Sequence, residues 1–123
     1  MTGIFLVGHV LVMLETFAAL AEPNRLRIVE LLRAGPLPVG EIGEALCLNQ
    51  PQVSKHLRVL KEARLVGVEP RAQQRLYGLR AEPLRELGAW LERYRDVWGE
   101  RLDQLDELVE ELAAGREGRA QKR

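Results

Sequence analysis

Residues 47–65, CLNQPQVSKHLRVLKEARL, constrain the fold more than any other stretch of the chain. Asn49 is a residue type that caps a helix, and Pro51 follows where a first helical turn tolerates a missing N–H. Val53, Leu57 and Leu60 then recur at i, i+4 and i+7, which predicts a helix over 50–63 with one apolar stripe turned inward. Away from that stripe stand Gln50, Gln52, Ser54, Lys55, Arg58 and Lys61. These amide, hydroxyl and cationic groups are the set that reads base edges and neutralises phosphates. His56 lies beside the stripe, three residues after Val53, and its spacing leaves two placements open: on nucleic acid, or partly under the fold. Gln52 is also placed to close a capping box with Asn49, which would take up part of its hydrogen-bonding capacity.

The flanks supply what such a helix needs. Pro23 suits the first position of a helix over 23–34, with Gly35 just past its end, and Leu26, Ile28, Val29, Leu31 and Leu32 make that helix central to a core. Pro36 and Pro38 interrupt the chain before a short helix over 39–46 that would turn Ile42, Ala45 and Leu46 inward. Gly40 and Gly43 disfavour this helix, each by up to about 1 kcal/mol relative to Ala, so it depends on packing, and a small Gly43 permits close approach of the 50–63 helix. Helix, short turn, helix is a DNA-reading hairpin. Beyond it, residues 65–69 and 74–79 are rich in β-branched and aromatic side chains around the polar tip Arg71-Ala72-Gln73-Gln74, which predicts two strands forming a wing over 66–79.

The run Asn49-Gln50-Pro51-Gln52-Val53-Ser54-Lys55-His56-Leu57, continued by Val59-Leu60-Lys61-Glu62-Ala63 and Leu65-Val66, resembles the second helix of the helix-turn-helix in ArsR/SmtB-type winged-helix repressors, with their Ser-x-His-Leu core. Ala21-Glu22-Pro23-Asn24-Arg25-Leu26-Arg27-Ile28 is similar to that family's opening segment, and Arg75-Leu76-Tyr77-Gly78-Leu79 to its wing. The three matches fall in the right order over residues 15–80. The resemblance implies a mainly α fold with a small two-stranded β wing, a winged helix-turn-helix with a long terminal dimerisation helix. It implies a homodimer on double-stranded DNA, with Gln50, Gln52, Ser54, Lys55, His56 and Arg58 in the major groove and the tip residues Arg71, Gln73, Gln74 and Arg75 flanking it. Where the family usually has glycine after Ala63, this chain has Arg64; a left-handed backbone there would strain a residue with a Cβ by about 1 kcal/mol.

A formal net charge of zero would argue against a polyanionic partner if charge were spread evenly, but it is segregated. Over 50–80, Lys55, Arg58, Lys61, Arg64, Arg71, Arg75 and Arg80 face only Glu62 and Glu69, a local balance of +5. Over 83–112, nine acids, Glu86, Glu92, Asp96, Glu100, Asp103, Asp106, Glu107, Glu110 and Glu111, face Arg85, Arg93, Arg95 and Arg101, a balance of −5. The two halves therefore offer opposite surfaces.

At 123 residues the chain suits one domain with terminal extensions. Residues 1–21 form a hydrophobic arm. Their apolar run lacks the cationic start of an export signal, the first cation being Arg25, and is about half the length of a membrane span. The expected helix begins near His9 or Val10 and sets Leu14, Phe17 and Ala18 on one face; Met13 is a second candidate start of the chain. Residues 22–80 form the DNA-binding core. Over 81–113, Leu84, Leu87, Leu91, Tyr94, Trp98, Leu105, Leu108 and Leu112 recur in steps of three and four, broken where Arg101 occupies the seam. With Leu14 and Phe17, residues Leu84, Leu87, Leu91, Tyr94, Trp98 and Leu105 are the expected dimer interface. Residues 114–123 are basic and aperiodic, expected as a disordered tail.

Other chemistries find little support. Ser54 and His56, two apart on a helix, point in different directions, and no phosphate loop, nucleophile with a base or cofactor fingerprint occurs, so neither catalysis nor a cofactor is expected. Metal-sensing relatives often pair thiols near Cys47; here Cys47 is the only cysteine, and His9 and His56 are the only histidines. A soft-metal site needs three or four converging ligands, so no metal or small-molecule effector is evident and Cys47 is expected as a small buried residue. A single cysteine suits a reducing cytoplasm. The alternative function is a winged-helix adaptor that binds protein through the acidic C-terminal helix without binding DNA.

Overall fold

Glu22 opens the central helix by accepting a hydrogen bond from Arg25 N at 2.8 Å, and Pro23 takes the first helical position. This helix is preceded by α1 (Thr2–Leu20) and is itself α2 (Pro23–Leu32). It ends two residues earlier than expected, and Gly35 follows at φ 141°, a conformation that favours glycine. The computed structural model describes the backbone of residues 2–121 and the side chains of 8–97 and 99–116. Chain contacts divide it into two units, Met1–Leu87 and Gly88–Arg123.

In the first unit, β1 (Leu37–Pro38), α3 (Val39–Leu46), α4 (Gln50–Glu62), β2 (Val66–Arg71) and β3 (Gln74–Leu79) follow α2, and α5 (Ala81–Gln121) begins. Ile28, Val29 and Leu32 of α2, Ile42 of α3, Val53, Leu57 and Leu60 of α4, then Leu65 and Val66, are all buried in one cluster with Ala19 of α1. Burial of these side chains holds the helices together, each contributing about 1.5–3 kcal/mol. Leu26 and Ala45, expected inward, are exposed, because α2 and α3 present only one stripe each to the cluster.

Three other elements, α1, β1 and β2, differ from expectation. The helix α1 begins at Thr2 rather than near His9, since the whole apolar run is compatible with helix. Its buried face is Met13, Thr16 and Ala19, while Leu14 and Phe17 face outward. Thr16 satisfies its hydroxyl by donating to Val12 O at 3.2 Å. The sheet has three strands in the order β1-β3-β2, because Leu37 and Pro38 pair with Tyr77 and Leu76. Strand β2 runs through Pro70 to Arg71, which an edge strand tolerates.

Gly43 is where α3 meets the turn. A Cβ there would lie 2.7 Å from Leu48 O and 3.5 Å from Val53 Cγ2, so the turn carbonyl more than the facing helix demands glycine. Cys47 then closes α3 in the left-handed conformation at φ 57° and is exposed, not buried as expected, because the turn carries its side chain out of the core.

The second unit is α5 from Gly88 onward. Its helix continues to Gln121 instead of giving way to a disordered tail after Ala113; Ala113, Ala114, Glu117, Arg119, Ala120 and Gln121 are good helix formers, so no capping signal stops it. Leu91, Tyr94, Val97, Leu102, Leu105, Leu108, Val109 and Leu112 are all exposed. The Trp90 and Tyr94 rings lie 5.1 Å apart at 59°, a pair one helical turn apart.

Candidate nucleic-acid interface

Helix α4 is held from behind and open in front. Val53, Leu57 and Leu60 are buried at 2% exposure or less, while Gln50, Gln52, Ser54, Lys55, Arg58 and Lys61 are exposed. Its start is fixed by a complete capping box: Asn49 Oδ1 accepts from Gln52 N at 2.9 Å, and Gln52 Oε1 accepts from Asn49 N at 3.0 Å. The Gln52 carbonyl is therefore engaged, leaving its NH₂ group to meet a ligand. Arg27 ties the hairpin to α2, donating to Leu46 O at the end of α3 (3.1 Å) and to Asn24 Oδ1 (3.1 Å). The helix is about 20 Å long and 10–12 Å across with its side chains, dimensions that suit a major groove about 12 Å wide.

Arg58 Nε lies 3.4 Å from Glu62 Oε1, but both side chains are largely exposed. Such a pair contributes at most about 1 kcal/mol and leaves the guanidinium able to exchange its carboxylate for a phosphate.

His56 differs from the rest of the set. Its side chain is 13% exposed, and Nδ1 faces Glu22 Oε2 at 3.6 Å, within ion-pair reach but too long for a hydrogen bond. Nδ1 is buried and has no hydrogen-bond partner among the described residues. The structure thus separates His56 from the exposed set with which the sequence grouped it. Of its two open placements, the one partly under the fold is found, because position 56 borders the apolar stripe.

The wing is the β2–β3 hairpin. Arg71 pairs with Gln74 and Pro70 with Arg75, with Ala72 at φ 56° making the turn. Arg71, Gln73, Gln74 and Arg75 are exposed at its tip. At its base Tyr77 and Leu79 pack against the core cluster, so the hairpin is anchored at one end and free at the other. Arg64, just after α4, adopts φ 63°, the left-handed conformation that a glycine would occupy without strain.

Among the described residues, no group of three or more His, Cys, Asp and Glu side chains is placed to hold a metal ion, and no helix is long and apolar enough to cross a membrane. Of the expected dimer residues, Leu14, Phe17, Leu91, Tyr94 and Leu105 are exposed. Leu87 is half-buried, and Leu84 instead packs against the core of the first unit, because α5 starts there. The Trp98 side chain lies outside the described residues.

Residues 22–68, from the cap of α2 to the start of the wing, match the family model described as bacterial regulatory protein, arsR family. The chain is 41% identical over 96 residues to the HTH-type transcriptional regulator Rv2034 of Mycobacterium tuberculosis, an alignment covering 78% of this chain and 87% of that one. The chain belongs to the ArsR family. Within it, this ArsR protein is also 30% identical over 77 residues to the transcriptional repressor SdpR of Bacillus subtilis, covering 63% of this chain and 86% of the relative. Its fold resembles the solution structure of the homodimeric winged helix-turn-helix DNA-binding domain of a possible ArsR-family regulator from Mycobacterium bovis, with a TM-score of 0.58 at 28% identity over 76% of this chain and 83% of that one.

Proposed function

We infer that this ArsR-family protein is a homodimeric transcriptional repressor of the cytoplasm that binds double-stranded DNA. The observation that carries the reading is α4: a helix capped at its start, locked in the core along Val53, Leu57 and Leu60, and presenting Gln50, Ser54, Lys55 and Arg58 to solvent. Those side chains read base edges and phosphates in a major groove, with the free NH₂ of Gln52 beside them. Arg71, Gln73, Gln74 and Arg75 at the wing tip grip the flanking backbone or minor groove.

Two copies join through the exposed apolar faces of α1 and α5, and their two-fold symmetry requires a pseudo-palindromic operator with half-sites one helical turn or a multiple apart. The repressor named among the relatives and the homodimeric DNA-binding domain of similar fold support this reading. A protein-binding adaptor would have no use for the cations concentrated over residues 50–80. Retardation of a duplex taken from upstream of the protein's own coding sequence, at physiological salt and against excess random DNA, tests it; equal retardation of both DNAs sinks the sequence-specific reading.

A further inference from the structure

One carboxylate oxygen lies at the meeting point of three helices. Glu22 Oε2 accepts from Arg25 N at 2.8 Å, capping α2, and the same oxygen lies 3.6 Å from His56 Nδ1 on α4. The Arg25 side chain continues in the other direction, donating from Nε to Ala19 O at 2.7 Å and from Nη2 to Ala18 O at 3.3 Å, at the end of α1. The chain Ala19, Arg25, Glu22, His56 therefore runs from the N-terminal arm to the helix that carries the reading side chains.

We propose that His56 is a positioning residue, which sets the seat of α4 through Glu22 and does not itself touch DNA. The ring cannot do both with Nδ1, since that atom is buried and turned to the carboxylate. A buried nitrogen opposite a carboxylate oxygen carries its proton on that nitrogen, because a lone pair there would face another lone pair. A side-chain movement of a few tenths of an ångström closes the 3.6 Å gap to hydrogen-bond length and ties α4 to α2. Leaving that nitrogen unpaired is what burial penalises, and the tie converts the penalty into a preference for one seat. Specificity depends on that seat, because base edges discriminate through hydrogen bonds that a small displacement of Ser54 or Lys55 would break, whereas phosphates tolerate it.

The proposal rests on the DNA-binding reading above, and the test separates the two. His56→Gln removes a donor at Nδ1, His56→Asn places an amide nitrogen there, and Glu22→Ser keeps a capping oxygen for Arg25 N on a side chain too short to reach the ring. Each variant and the Glu22→Ser/His56→Gln double variant are titrated with the duplex that wild-type protein selects from a random pool, and with random DNA, over a range of salt. The same proteins are unfolded in urea. The expected result is a loss of about fivefold on the selected duplex for His56→Gln and for Glu22→Ser, about the same loss in the double variant, little change on random DNA, and recovery in His56→Asn. The slope of log K against log salt stays at the wild-type value. Additive losses in the double variant, equal losses on both DNAs, or a slope reduced by about one in His56→Gln would overturn the proposal, the last showing that His56 meets a phosphate. Wild-type protein that binds neither DNA overturns the DNA-binding reading and removes the object of the positioning; the urea cycle then still shows, by its non-additivity, whether the tie itself exists.

Discussion

Asn49 and Gln52 exchange hydrogen bonds at the start of α4, 2.9 Å from Gln52 N to Asn49 Oδ1 and 3.0 Å from Asn49 N to Gln52 Oε1. Gln52 is thus a structural residue as well as a candidate base reader. Replacing Asn49 with Ala should destabilise the protein by about 1 kcal/mol in urea unfolding. Gln52→Ala should lower stability and DNA affinity together, while Gln52→Glu, which keeps an acceptor for Asn49 N, should preserve stability and lose affinity. Unchanged stability in Asn49→Ala would show that the cap is redundant.

Arg64 holds a left-handed backbone at φ 63° despite its Cβ. Arg64→Gly should therefore raise stability by about 1 kcal/mol, less the entropy that glycine adds to the unfolded chain. A lower unfolding midpoint in the glycine variant would mean that the Arg64 side chain makes an interaction worth more than the strain.

Gly43 is buried with no room for a methyl group, the nearest atom being a backbone oxygen that cannot turn aside. Gly43→Ala should destabilise by about 1–3 kcal/mol, despite the better helix propensity of alanine. Thermal melts of the two proteins decide it, and an unchanged midpoint would show that the turn at Leu48 yields freely.

Leu91 on α5 is 56% exposed, and Tyr94 and Leu105, further along the same apolar repeat, are exposed as well. On the proposed dimer, in which a second subunit covers this stripe, Leu91→Glu should give a monomer or an insoluble protein at micromolar concentration. Light scattering reads the mass directly, and a one-subunit mass for the unaltered chain would refute the dimer.

On the proposed DNA-binding reading, Ser54 and Arg75 should separate reading from gripping. Ser54 projects from the first turns of a helix whose back is fixed, so Ser54→Ala should weaken operator binding more than random binding, by about 1 kcal/mol, the lower end of what a base contact discriminates. Arg75 lies next to the wing tip, so Arg75→Ala should weaken both alike and reduce the salt slope by about one for each phosphate that its guanidinium neutralises. The reverse pattern in salt titrations would make the wing the reader.

Features that depend on local periodicity and capping were legible in the order of residues alone. The buried stripe Val53, Leu57 and Leu60, the bounds of α3 at Val39–Leu46, the capping box of Asn49 and Gln52, and the strand Gln74–Leu79 all follow from residue type and spacing, because each is settled within a few residues. The charge asymmetry and the exposed tip of the wing were legible for the same reason. Tertiary structure alone decided which of several compatible faces met the core. In α1 both Met13 and Leu14 are apolar, and only the packing of the folded chain chose Met13, Thr16 and Ala19 for burial. Leu37 and Pro38 carry no strand pattern of their own and became β1 only because Tyr77 and Leu76 offered an open edge. Cys47 left the core because the turn after α3 required a left-handed residue there. His56 sat at the border of its helix, where periodicity cannot choose a side; the packing of α2 on α4 made the choice, and it brings Glu22, 34 residues earlier in the chain, to 3.6 Å from the ring.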